Sequence, residues 1–113
     1  SNTGNLTKEA SLISKQHHEQ YDGKGYPDGL RGEEIHYYSR IARILDEFEM
    51  DLSKISEKDT SPAFRVLQRM VNEKDGNYDK ELLKKFIKFM QMNTFEESIE
   101  VPYKYTNEVA AVR

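Results

Sequence analysis

The eleven residues Asp22-Gly-Lys-Gly-Tyr-Pro-Asp-Gly-Leu-Arg-Gly32 constrain this chain more than any other stretch of it. They hold four of its six glycines and one of its three prolines. No helix interior or central strand tolerates that density, because glycine loses the most backbone entropy on ordering and proline lacks an amide donor. The stretch is therefore a loop, and the periodic segments lie on either side of it. Upstream, Thr7 can cap a helix running to about residue 20, with Ala10, Ile13 and His17 at helical spacing. Downstream, Tyr38, Ile41, Leu45 and Phe48, with Ile44 beside them, predict a second helix over roughly 34–50. Residues 51–61 are polar and aperiodic, a connection. Ser61-Pro62 opens a third helix, with serine as cap and proline in the first helical position. Its apolar face is Phe64, Leu67, Met70 and Val71, and Asp75-Gly76-Asn77 ends it. Asp79 caps a fourth, where Leu82, Leu83, Phe86, Ile87 and Met90 form one side and Lys84, Lys85 and Lys88 the other. Residues 93–113 are weakly patterned, and 107–112 read equally as a short helix or a strand. The fold class is all-α, with about four helices.

Composition narrows what such a chain does. One hundred and thirteen residues suffice for one domain. Hydrophobic residues make up 36% and charged residues 33%, the latter well above the usual ~25%. Core material is short, so apolar surface from a neighbour is expected to complete the fold. Seventeen Lys and Arg against twenty Asp and Glu leave no basic footprint for nucleic acid. The absence of cysteine excludes disulfides, thiolate metal sites and cysteine nucleophiles. No apolar run approaches the ~18 residues of a membrane span, and no basic-then-apolar leader opens the chain, which predicts a cytoplasmic location.

Two motif readings fail on their own geometry. Gly23-x-Gly25 follows no strand and lacks a correctly placed third glycine, so it is not a dinucleotide fingerprint. Asp75 to Asp79 imitates a calcium loop, but Lys80 stands where glycine is needed and Phe86 where the bidentate glutamate belongs. His17 and His18 are different. As helix neighbours their side chains would diverge by about 100°, which suits two or more ions better than one. The alternative is a buried core His17, with His18 and Asp46 on the surface.

The pattern His17-His18-Glu19, Asp22-Gly23, Gly25-Tyr26-Pro27, Gly29-Leu30, Gly32, Ile35, Arg40-Ile41 and Asp46 resembles the second half of an HD-GYP domain. That family is an all-helical branch of the HD metal-dependent phosphohydrolases, associated with hydrolysis of cyclic di-GMP. The resemblance implies that His17, His18 and Asp46 are metal ligands for iron, manganese or zinc. Such ions lower the pKa of bound water and polarise phosphoryl oxygens. It also implies that Asp22, Gly23, Gly25, Tyr26, Pro27, Gly29 and Gly32 form a substrate or partner loop, linked in the family to GGDEF-type proteins. Arg40 is a further matching residue. Tyr26 is either an exposed aromatic anchor or an inward-packed loop residue. Through Gly76-Asn77-Tyr78-Asp79 the match reaches about Met90, so residues 1–92 are expected to be a partial domain and 93–113 an extension.

The chain departs from the family at several points. Nothing before His17 supplies the upstream His-Asp pair, its lysine, a further histidine or another acidic ligand. Leu52 to Thr60 has no phosphate-contacting arginine, only Lys54 and Lys58. His36 replaces the usual proline, and Glu49 a second aspartate. Three ligands cannot fill a di- or trinuclear centre, since one catalytic zinc already takes about three. The expectation is a chain inactive alone, completed by a missing first half or a second copy. The alternative is a non-catalytic interaction or dimerisation module.

Overall fold

A computed structural model describes residues 2–93, and the expected 93–113 extension, including 107–112, lies almost wholly outside them. Four helices follow one another: α1 (Asn2–Gln16), α2 (Tyr37–Ser53), α3 (Pro62–Glu73) and α4 (Lys80–Asn93). Single 3-10 turns occupy Gly32–Glu34 and Asp75–Asn77. Between α1 and α2 the only extended pairing among the described residues is an isolated antiparallel bridge, Asp22 with Arg31. The all-α expectation holds.

Two helix boundaries differ from the sequence reading. α1 begins before Thr7 and ends at Gln16, so His17 and His18 lie in the turn that follows it rather than on the helix. α2 begins at Tyr37, about a turn later than expected, because the chain first makes the 3-10 turn at Gly32–Glu34. His36 then caps α2: its Nδ1 accepts the Tyr38 amide at 3.1 Å, satisfying one of the first-turn donors that have no intrahelical partner. The His36 amide in turn donates to Gln16 Oε1 at 2.8 Å.

The chain divides into two compact units. The first comprises residues 1–46 and 76–79. Its buried apolar residues are Ile35, Ile44 and Tyr78, accompanied by the buried polar side chains of Glu19, Ser39, Arg43 and Asp79. Polar burial on this scale requires partners. Arg40 pairs with Asp79 at 2.5 Å, both nearly buried, and its Nε donates to the Ile35 carbonyl at 3.0 Å. The Arg43 guanidinium lies 5.9 Å from the centre of the Tyr78 ring. The Tyr21 amide donates to the Asn77 carbonyl, tying residues 76–79 to the loop after α1.

Of the described residues, the second unit comprises 47–75 and 80–93. On α3 the residues Ala63, Val66, Leu67, Met70 and Val71 are buried, an i, i+3, i+4, i+7, i+8 stripe. Pro62 takes the first helical position as expected, but Ser61 makes no side-chain cap bond. Asp59 organises the entry instead, accepting the Ser61 amide at 2.8 Å and pairing with Arg65 at 3.2 Å. The Ser61 hydrogen bond, aided by Arg65 against partial burial, holds the Asp59 carboxyl below its usual range. On α4, Leu82, Leu83 and Ile87 are buried, and Phe86 meets Phe48 edge-on at 5.1 Å. Lys84, expected on the solvent side, has a side chain only 8% exposed, and its ammonium reaches back one turn to Glu81 at 3.2 Å.

The α2 stripe is the largest correction. Tyr38 and Leu45, expected to face a core, are 48% and 49% exposed. The buried line runs instead through Ser39, Arg43, Ile44 and Asp51. Hydrophobicity alone would not choose that face. It is stabilised by charges supplied from elsewhere, as at Asp51, where Lys74 bridges Asp51 and Glu47 at 3.2 and 3.1 Å. Burial alone would pull the Lys74 ammonium down, but hydrogen bonds and attraction from Glu47 and Asp51 outweigh it and raise its pKa above the ordinary lysine value.

Candidate functional site

The turn after α1 places the two histidines side by side. Their ring centroids are 4.0 Å apart with planes tilted by 40°. The divergence expected of helix neighbours is therefore overturned, because the backbone leaves the α conformation at Gln16 and swings the second imidazole toward the first. His17 Nδ1 lies 2.8 Å from the Ser14 carbonyl. A carbonyl oxygen only accepts, so Nδ1 carries a hydrogen; in the neutral ring this leaves the lone pair on Nε2, the tautomer that suits a ligand. The Arg43 guanidinium reaches the His17 carbonyl at 3.5 Å.

The Gly-Tyr-Pro loop is folded down onto this turn. Tyr26 stacks on His18 with centroids 4.9 Å apart and planes within 16°, and the Tyr26 amide donates to the His18 carbonyl at 3.3 Å. Gly25 sits directly against the turn: a Cβ there would collide with the His18 carbonyl, the Glu19 Cα and the Gln20 amide nitrogen. Gly25 is thus required by close approach. Gly29 is required by conformation, with φ of 66° and only ordinary contact around a built Cβ. The Tyr26–Pro27 peptide is cis. Tyr26 remains 61% exposed, so it is both packed on His18 and open to solvent, combining the two expectations held for it.

Glu19 holds the far limb of the loop. It is 1% exposed, and its carboxylate accepts the Asp28 amide at 2.7 Å and the Leu30 amide at 2.9 Å. The sequence reading placed Glu19 in the motif but assigned it no task. The only available signal was an acidic residue beside a glycine-rich loop full of unpaired amides. Asp22 is likewise structural: it accepts the Lys24 amide at 3.0 Å, and Gly76 passes close to its carboxylate. Arg40 is committed to Asp79 and Ile35, as described above, and acts as a brace.

Asp46 lies exposed on α2. Among the described residues no three histidine, aspartate or glutamate side chains come together as a group able to hold a metal ion. The structure joins His17 to His18 and His18 to the loop, but it does not bring Asp46 into a three-ligand set with them. Two imidazoles fall short of the three protein ligands of a typical catalytic metal. No helix among the described residues is long and apolar enough to cross a membrane.

The HD domain family model matches residues 2–82. The cyclic di-GMP phosphodiesterase response regulator RpfG of Xanthomonas campestris is 54% identical over 43 residues, 38% of this chain and 11% of that protein. The 3'3'-cGAMP-specific phosphodiesterase 2 of Vibrio cholerae is 32% identical over 78 residues, 69% of this chain and 15% of the relative. A cyclic di-GMP phosphodiesterase of Thermotoga maritima is 30% identical over 76 residues, covering 67% of this chain and 21% of the relative. The aligned stretch is therefore a small part of each of these proteins. No solved structure matches at comparable stringency.

Proposed function

Because the chain belongs to the HD domain family, we propose that it is the loop-bearing second half of a cyclic-dinucleotide phosphodiesterase of the HD-GYP type, catalytically incomplete by itself. In this reading residues 1–92 are the partial domain and 93–113 an extension. The observation that carries it is the paired His17 and His18, with a loop that Glu19 and Gly25 hold in place stacked on His18. His17, His18 and Asp46 are the ligands this region would contribute to a centre of iron, manganese or zinc. The rest would come from protein outside these 113 residues. Relatives named for two different cyclic dinucleotides support the substrate class rather than one member of it.

A second reading, a non-catalytic module that binds a GGDEF-type partner, draws on one observation. Tyr26 is 61% exposed, the kind of aromatic that anchors interfaces.

Metal analysis and turnover of cyclic di-GMP and 3'3'-cGAMP, on residues 1–113 and on the longest natural product containing them, separate the readings. The phosphodiesterase reading expects no turnover from the 113 residues. From the longer product it expects metal-dependent turnover, with metal lost in His17→Ala and His18→Ala. Hydrolysis by the 113 residues alone, or a longer product with neither metal nor turnover, overturns it.

A further inference from the structure

Two helices present exposed faces of opposite character. On α2, Tyr38, Leu45 and Glu49 recur at i, i+7 and i+11 and so fall along one line, with Asp46 beside it. Tyr38 and Leu45 are about half exposed, and Asp46 and Glu49 are exposed. This face is apolar with acidic residues toward its C-terminal end. On α4, Lys85, Phe89 and Met92 share a face, with the partly exposed Lys88 at its edge. Phe89 is 52% and Met92 75% exposed, while Lys85 is exposed. This face is apolar and basic.

We infer that the α2 face of one copy of this chain docks on the α4 face of a second copy. The argument is charge complementarity around apolar contact. Tyr38 and Leu45 offer area to Phe89 and Met92, while Glu49 meets Lys85 and Lys88. Among the described residues, Glu49, Lys85 and Lys88 are in none of the ion pairs found within the chain. Apolar residues that isolated helices leave half in water are ones whose burial is favourable at roughly 25 cal/mol per Å². Charges placed at the edge of such a contact choose partner and register more than they add affinity. The inference concerns residues 1–113 by themselves and is read by self-association, so its failure is distinguishable from failure of the phosphodiesterase reading, which is read by metal content and turnover.

Analytical ultracentrifugation of residues 1–113 over a concentration series tests it, with helicity by circular dichroism as a check on folding. Wild type is expected to self-associate reversibly and more weakly as salt rises. Leu45→Lys and Phe89→Glu, both at exposed positions, are expected to abolish association while keeping helicity. Glu49→Lys or Lys85→Glu alone is expected to weaken it about tenfold, and mixing the two variants to restore pairing between them. A chain that stays monomeric at every concentration overturns the inference. So does association indifferent to these substitutions. Protection of the α2 face in a longer natural product that remains monomeric, read by hydrogen exchange, also overturns it, since the face would then be covered within one chain.

Discussion

Replacing Glu19 should free the far limb of the Gly-Tyr-Pro loop. Its carboxylate is 1% exposed and makes two bonds, to the Asp28 amide at 2.7 Å and the Leu30 amide at 2.9 Å. A hydrogen bond with one charged partner contributes about 1.5–3 kcal/mol. Asp28 is exposed and Leu30 partly so. Water therefore reaches the released amides, and the low end applies twice, about 3 kcal/mol for the pair. Glu19→Ala should accordingly speed exchange of the Asp28 and Leu30 amides by roughly 100–200-fold, since each 1.4 kcal/mol is tenfold. Glu19→Gln keeps the shape and one acceptor oxygen but turns an NH2 toward the other amide. It should cost less, about 2 kcal/mol, with the loss concentrated at one of the two positions. Amide hydrogen exchange followed by NMR reads both, with α3 amides as the internal reference. Equal exchange at Asp28 and Leu30 in wild type and both variants, with α3 unchanged, would refute the idea that this carboxylate holds the loop.

Three further outcomes follow from other contacts. Gly25→Ala should cost about 2–3 kcal/mol, the upper part of the overpacking range, because the obstructing atoms are backbone. Gly29→Ala should cost about 1–2 kcal/mol from its left-handed φ alone. Only the former should displace Tyr26 from His18, visible as a change in the His18 ring proton shifts. Lys74→Met leaves Glu47 and Asp51 without their shared cation and should cost about 2–3 kcal/mol by urea denaturation at neutral pH, discounted from a fully buried pair because Lys74 is 29% exposed. The Lys74 pKa is raised on folding, so this stabilisation is complete below the ordinary value of 10.5 and is lost as pH rises through the higher folded value. The difference between wild type and variant should shrink only there; a difference independent of pH in that window contradicts the pairing. Arg40→Met and Asp79→Asn should couple by about 1.5–3 kcal/mol in a double-mutant cycle, and additive effects would show that their 2.5 Å contact is not a stabilising pair.

Much of this protein was determined by sequence alone. Helix number and order, the loop at 22–32 and the start of α3 at Pro62 follow from local rules: glycine density, apolar period and proline geometry act within a few residues of where they are read. The HD family membership was legible for a related reason, since many fixed residue types at fixed spacing are a local pattern. Tertiary structure decided what depends on residues far apart in the chain. Which face of α2 is buried turns on Arg43 meeting Tyr78 and Asp51 meeting Lys74, partners 35 and 23 residues away. The task of Glu19 appears only when amides nine and eleven residues later fold back onto it. The end of α1 at Gln16 puts the histidine rings together, where helical periodicity alone would have sent them apart. Local propensity sets which segments are helical, but the burial of a charge is stable only when its partner is present, and that partner is brought by the fold.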